Sequence, residues 1–235
     1  MRILAFDTST DACSVALCVD GERLVDHAVV PRAHAQRLLP GIRRLLAEAQ
    51  LSPGQLDALV YGRGPGSFTG VRIAVSAAQG FAWGAGIGTL GVSTLATIAQ
   101  GCRREHGDTD VLAMLDARMG ELYLGRYREG GAGLMTLDGA ERAVAPARAG
   151  IGGLPVGATL AGSGAEALGD VDPGERLLRA GQLPHALDLL DLAAPAVRAG
   201  HLQDPALAQP AYLRDKVALT EAERGIDSSL GTMRS

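Results

Sequence analysis

The order in which the hydrophobic period changes along the first hundred or so residues restricts this chain more than any other feature. Ile3–Asp7, Cys13–Val19 and Leu24–Val30 read as three successive strands, the last two joined by an Asp20-Gly21 turn. The period then lengthens: Leu38, Leu39, Ile42, Leu45, Leu46 and Ala49 recur at helical spacing within His34–Gln50, where Pro40 either starts the regular helix or kinks it. A strand at Leu56–Tyr61, a glycine-rich loop from Gly62 to Gly70 and a helix over Gly70–Ala85 follow. Thr89–Val92 then ends a short strand, and Ser93–Glu105 is a helix capped by Ser93 or Thr94. A meander followed by alternating helices and strands specifies an α/β unit whose mixed sheet is flanked by helices.

A second β-rich unit begins at Val111–Asp116, continues through Leu122–Arg128 and turns at Glu129-Gly130-Gly131. Beyond about residue 140 the periodic signals weaken, leaving Ala158–Ala161 as a short core strand and His185–Arg198 as a helix interrupted at Pro195. At 235 residues the chain suits two lobes of roughly 100 residues each. The expected division is 1–108 and 109–224, with 225–235 as a polar, aperiodic tail expected to be disordered.

Composition narrows the function. Net charge is −4, which gives no diffuse attraction to phosphate backbones and disfavours the chain as the main RNA-gripping surface. Cys13, Cys18 and Cys102 form no CxxC pair, and an odd number argues against a disulfide framework. Five residues apart on one strand, Cys13 and Cys18 point to opposite faces as small buried hydrophobes. No run of about 18 apolar residues occurs, and the MRILAFDTST start lacks signal-peptide architecture, so a cytoplasmic protein without membrane contact is expected.

Within FDTSTDACSVALCVDG, Asp7, Thr8 and Ser9 stand at the end of a buried strand, where side chains and loop amides suit a phosphate or its metal, or equally satisfy a local turn. The Gly62–Gly70 loop is not a P-loop: Gly70-Val71-Arg72 replaces the GKS or GKT ending, so no lysine reaches terminal phosphates. Its glycines suit close packing against a neighbouring lobe or subunit. On the following helix, Gly70, Ala74, Ala78 and Ala82 form a smooth strip at i, i+4 spacing. That strip suits either close approach of a second helix or packing on the chain's own sheet. His27, His34, His106, His185 and His201 are scattered with no pair at ligand spacing.

Taken in order, LAFDTSTDACSVALCVDG, RAHAQRLLPGI, GRGPGSFTGVRIAVSAAQGFAWG, LDARMGELYLGRY and PAYLRDKVA resemble segments of the TsaB (YeaZ) family, from residue 4 to about 218 and most weakly in the middle third. The resemblance implies an actin-like ATPase fold, of the ASKHA or ribonuclease H-like type, with two lobes. It also implies a non-catalytic relative of TsaD that pairs with TsaD and is joined by the TsaE ATPase. That complex makes the N6-threonylcarbamoyl modification of adenosine 37 in tRNAs reading codons that begin with A. The chain is then expected to meet tRNA only through the complex and to self-associate when its partner is absent.

Against the catalytic relatives, two losses stand out. Their HxxxH pair after a Gly-Val falls, on an ungapped comparison, on Thr94 and Ile98 of Gly91-Val92-Ser93-Thr94-Leu95-Ala96-Thr97-Ile98. Their Ser-Gly-Gly-His-Thr type of turn falls on Asp116-Ala117-Arg118-Met119-Gly120-Glu121, where side chains intrude on the phosphate position. No metal, cofactor or catalytic residue is therefore expected, and Asp7, Thr8 and Ser9 stand as a vestigial phosphate loop. Because TsaB and TsaD pair through N-terminal-lobe helices, the expected partner interface is Gly70, Ala74, Ala78 and Ala82 with Leu38, Ile42 and Leu45. Two alternatives compete with this pseudoenzyme: an actin-like sugar-kinase type of phosphotransferase, for which Asp7 is the placed carboxylate, and a protease, for which no GxSxG elbow exists.

Overall fold

The computed structural model describes residues 1–214 of the chain; the expected tail at 225–235 lies outside them. The first sheet contains β1 (Arg2–Asp7), β2 (Ala12–Val19), β3 (Glu22–Val29), β4 (Ala58–Gly62) and β5 (Gly88–Val92), in the spatial order β3-β2-β1-β4-β5. The meander pairs antiparallel, with Phe6 opposite Val15 and Ala16 opposite Val25. After helices α1 (His34–Glu48) and α2 (Phe68–Ala85), β4 and β5 return parallel to β1, with Ala5 beside Val60 and Val60 beside Leu90. Crossover helices force that parallel return. α1 runs through Pro40, which occupies an exposed position.

The first sheet is buried on both faces, which is why Ile3 to Phe6 is uninterruptedly apolar. Leu4, Phe6, Val15 and Leu17 point toward α1 and α2. Ile3, Ala5, Ala16 and Val60 point the other way. Cys13 joins the first of these clusters and Cys18 packs against the second, as their spacing predicts.

The second sheet holds β6 (Asp110–Arg118), β7 (Glu121–Glu129), β8 (Met135–Leu137), β9 (Arg142–Val144), β10 (Thr159–Ala161) and β11 (Leu177–Arg179). Its order is β11-β10-β6-β7-β8, with β9 also on β7. Two mixed sheets flanked by helices, the first in ribonuclease H-like strand order, make this the two-lobed actin-like architecture.

The division at residue 108 needs correction, because the lobes exchange helices. α3 (Thr94–His106) follows the first sheet in sequence, yet its Leu95, Ile98 and Cys102 pack with Val111, Ala113 and Tyr127 of the second. α4 (Ala186–Arg198) follows the second sheet, yet its Ala186, Leu189, Leu190 and Ala193 fill the open face of the first. Each helix goes where an apolar sheet face is otherwise uncovered. Among the described residues, no helix is long and apolar enough to cross a membrane.

Candidate functional site

Asp7, Thr8 and Ser9 converge at the C-terminal end of β1, and all three are fully buried. The Asp7 carboxylate accepts from the Ser9 amide (2.7 Å) and hydroxyl (2.6 Å) through Oδ1, and from Thr94 Oγ1 (3.1 Å) through Oδ2. Burial pushes the Asp7 carboxyl above its ordinary range, and the Ser9 and Thr94 donors oppose that shift. Thr8 Oγ1 donates to the Gly70 carbonyl at 2.7 Å, and the Ser67 amide donates to the Ser9 carbonyl at 2.7 Å. The polar groups that would serve a phosphate are spent on one another and on the glycine-rich loop.

That loop fills the space above them. A Cβ on Gly62 would lie 1.8 Å from Asp7 Oδ2, on Gly66 2.3 Å from the Ser9 carbonyl oxygen, and on Gly70 2.0 Å from that of Thr8. Only glycine admits backbones this close. The loop's close packing is therefore on its own chain, and Ser67 caps the helix it opens by accepting from the Gly70 amide at 3.0 Å.

The second loop is the β6–β7 turn. Asp116 Oδ1 accepts from the Arg118 amide at 2.7 Å, and Arg118, Met119 and Gly120 all take left-handed backbone conformations. Arg214 reaches across to donate to the Ala117 carbonyl (3.1 Å) and pairs with Glu121 at 2.7 Å. The chain itself thereby holds this turn shut. Between the two loops a cleft of about 840 Å³ opens, walled by Phe68, Val71, Leu115, Tyr123 and Tyr212 and bordered by Arg72, Arg118 and Arg214.

At the helix position where the catalytic relatives carry imidazoles, Thr94 binds Asp7 and Ser9, while Ile98 is fully buried in the apolar core. Among the described residues no group of three metal-ligating side chains converges.

The expected partner interface requires correction. Ala74, Ala78 and Ala82 are fully buried, Gly70 is buried, and Leu38, Ile42 and Leu45 are each 1% exposed. The three alanines and the three α1 residues form one core cluster with Leu4, Phe6, Leu59 and Tyr61. The small strip lets α2 lie close over a sheet face carrying the bulky Phe6 and Tyr61, so it is the inner face of the helix. The outer face carries Ser76, Gly80, Trp83 and Gly84, with Trp83 70% exposed and empty space around the Cβ position of both glycines. Exposed Leu39 stands on α1. Trp83 and the two glycines are visible in the sequence, but the regular alanine spacing draws attention to the opposite face.

Sequence reasoning also missed a strap formed by residues 203–214. Gln203 exchanges two 2.9 Å backbone hydrogen bonds with Thr89 of β5, and the Gln203 side chain and the Gln209 amide both donate to the Tyr61 hydroxyl. Ala208 joins the first-lobe core, whereas Leu213 packs into the second. The apolar, proline-bearing composition of PALAQPAYL was the available signal.

Residues 27–220 match the profile of the family described as "TsaD: tRNA N6-adenosine threonylcarbamoyltransferase". The chain is 43% identical over 223 residues to the tRNA threonylcarbamoyladenosine biosynthesis protein TsaB of Escherichia coli, covering 93% of this chain and 96% of that protein. The TsaB protein of Bacillus subtilis is 36% identical over 129 residues, covering 54% of this chain and 56% of its own. Among solved structures, YeaZ from Pseudomonas aeruginosa superposes with a TM-score of 0.82 at 43% identity, covering 90% of this chain and 99% of that one. With nearly full-length matches in both sequence and structure, the chain belongs to the TsaB (YeaZ) family, within the wider group of TsaD-related proteins.

Proposed function

We propose that the chain is a non-catalytic subunit in the synthesis of threonylcarbamoyl-adenosine in tRNA, acting by pairing with a TsaD-type catalytic subunit in the cytoplasm, with a TsaE-type ATPase joining the pair. The observation that carries this reading is the closure of both phosphate loops by the chain's own atoms. Asp7, Thr8 and Ser9 bind each other and the glycine loop, and Arg214 holds the β6–β7 turn. A phosphotransferase needs a carboxylate facing the cleft and amides free for phosphate. Asp7 is fully buried with both oxygens engaged, so the kinase alternative is disfavoured.

For the pairing surface we propose the outward faces of α1 and α2, around Leu39, Ser76, Gly80, Trp83 and Gly84. Glycine within an exposed helix costs about 0.5–1 kcal/mol relative to alanine. Both Gly80 and Gly84 leave open space where a side chain would stand, which suits the close approach of a second helix. Exposed tryptophan is the residue type most enriched at interface hot spots. Self-association through this face in the absence of the partner follows from the same geometry.

The test is reconstitution. Purified chain, its TsaD-type and TsaE-type counterparts, tRNA, ATP and the threonylcarbamoyl donor are combined, and the modified nucleoside is measured with each protein omitted in turn. Modification is expected to need this chain, and the chain alone is expected to neither modify tRNA nor hydrolyse ATP. Undiminished modification without it, or ATP turnover by it alone, overturns the reading.

A further inference from the structure

We infer that the mouth of the interlobe cleft binds a nucleobase carrying a single phosphate, at a site built from Phe68, Arg72 and Tyr212 and separate from the closed phosphate loops. The Arg72 guanidinium lies 3.3 Å from the Phe68 ring centroid and 5.5 Å from that of Tyr212. Its Nη1 donates to the Phe68 carbonyl at 3.1 Å, and its Nη2 donates to the Tyr212 hydroxyl at 2.7 Å. Among the described residues, these two bonds leave the remaining guanidinium N–H groups without a partner. The neighbouring cleft arginines have carboxylate partners, Arg118 with Asp116 at 3.1 Å and Arg214 with Glu121 at 2.7 Å. Arg72 has no carboxylate partner among the described residues, although it is half-buried. The carboxylates of Asp11 and Glu166 also line the cleft but belong to exposed residues, where water screens them.

Two aromatic rings stand exposed beside this cation, Phe68 at 65% and Tyr212 at 63%. Exposed rings next to a guanidinium without an acidic partner among the described residues offer stacking surfaces and one anion contact, the pair of features by which proteins hold an unstacked base and its phosphate. The cleft volume of about 840 Å³ accommodates such a ligand. The number of phosphates follows from the rest of the cleft. With the Asp7–Ser9 loop filled by Gly62–Gly70 and the β6–β7 turn held by Arg214, Arg72 is the one cleft arginine without an acidic partner among the described residues. A monophosphate satisfies it, and further phosphates gain nothing. The ligand is a free mononucleotide or an unpaired nucleotide of an RNA loop, which share this chemistry.

The inference rests on cleft geometry and is independent of the pairing proposed above, so the two fail separately. Ligand-detected NMR and calorimetry on the full chain test it with AMP, adenosine, magnesium-ATP and a short RNA hairpin with an unpaired loop. AMP is expected to bind with a Kd of ~0.1–1 mM, about tenfold more tightly than adenosine and no more weakly than ATP, without need of magnesium. Arg72→Gln is expected to remove the preference of AMP over adenosine, and Phe68→Ala to weaken both. Phe68 is exposed and Arg72 half-buried, and melting curves check that both variants retain the fold. Competition assigns the source: a hairpin that binds more tightly than AMP and is displaced by it marks an RNA loop, and a hairpin that does not compete marks the free nucleotide. AMP binding no tighter than adenosine, AMP binding unchanged in Arg72→Gln, or magnesium-dependent preference for ATP overturns the inference.

Discussion

Placing the same charge two residues apart on α2 separates the inner face of that helix from its outer one. Ala78→Glu puts a carboxylate at a fully buried position among Leu4, Phe6, Leu59 and Tyr61. Overpacking contributes about 1–3 kcal/mol, and a buried charge without a partner about 3–5 kcal/mol. The sum is comparable with a whole domain stability of about 5–15 kcal/mol. At ~2–4 °C per kcal/mol for a chain of this size, Ala78→Glu is expected to lower Tm by at least ~8 °C or to prevent soluble expression. Gly80→Glu adds a side chain where nothing lies within 4 Å, on the exposed side. Glutamate is the better helix former by ~0.5–0.9 kcal/mol, so the free chain is expected to melt at the same temperature or slightly higher. It should nevertheless lose the TsaD-type partner, because a Glu side chain blocks close helix approach. Differential scanning fluorimetry and size-exclusion co-elution read the two effects. A folded Ala78→Glu chain that has merely lost its partner would refute the inward assignment. A Gly80→Glu chain that pairs like wild type would refute the outward interface.

Gly70→Ala brings a Cβ within 2.0 Å of the Thr8 carbonyl oxygen, so denaturant unfolding is expected to show a loss of at least ~2 kcal/mol even though alanine favours helix. Arg104→Ala strips the bidentate partner, at 2.8 and 3.0 Å, from fully buried Asp188 and is expected to cost ~3–5 kcal/mol. Burial already pushes the Asp188 carboxyl up to about 6. The folded variant therefore takes up a proton more readily than the unfolded chain, and its deficit shrinks as pH is lowered from 8 to 5. His185 behaves oppositely: burial, its stack on His27 at 4.5 Å and nearby Arg104 outweigh Glu105 and push its imidazole down to about 4. Its contribution is complete above pH 6.5 and lost as pH falls toward 4. The His185→Asn variant, which retains a capping side chain, is expected to lack on the order of 1–2 kcal/mol of that acid destabilisation after allowance for solvent screening. Burial raises the Cys13 and Cys102 thiols to about 11 and about 12, so iodoacetamide at pH 8 is expected to label half-buried Cys18 first, as peptide mapping reads.

The elements legible in the sequence were those long enough to repeat their period. β1, β2, α1, α2 and α3 begin or end within about two residues of their expected bounds, because alternation or helical spacing persists through each and Ser93 caps α3 as its chemistry requires. β8, β9 and β11 span three residues each, too few for any period to declare itself, while the equally short β10 (Thr159–Ala161) is legible from its apolar run at Ala158–Ala161. For α2 the difficulty was different. Helical spacing establishes that Ala74, Ala78 and Ala82 share a face, but a helix that must approach a sheet and one that must approach a partner both use small residues. On α1 the same ambiguity put Leu38, Ile42 and Leu45 in the expected interface, although Arg43, Arg44 and Glu48 mark the outer side and those three apolar residues are buried. The site residues Asp7, Thr8 and Ser9 were placed correctly at a strand end. Their burial was not legible, because it comes from Gly62, Gly66 and Gly70 and from Thr94, all distant in sequence.

Helix exchange and loop closure have one mechanical consequence. The chain crosses between lobes before α3, again before α4, and a third time along residues 208–214, where Ala208 is anchored in one core and Leu213 in the other. Opening the cleft would have to free the strap from one lobe, by breaking either the Tyr61 contacts with Gln203 and Gln209 and the Ala211 amide bond to the Arg63 carbonyl, or the Arg214 bonds to the β6–β7 turn. These groups are partly buried, so losing each costs about 1–3 kcal/mol unless water replaces the partner. A hinge that opens and shuts around a nucleotide needs an interface of the opposite kind, weakly held and exchanged for ligand contacts. Two of the groups that close the loops also join the lobes: Thr94 of α3 binds Asp7 of β1, and Arg214 of the strap binds the β6–β7 turn. α1 and α2 pack on one face of the first sheet, and that shared core holds their outer faces in one relation, which lowers the ordering cost of the pairing proposed for them.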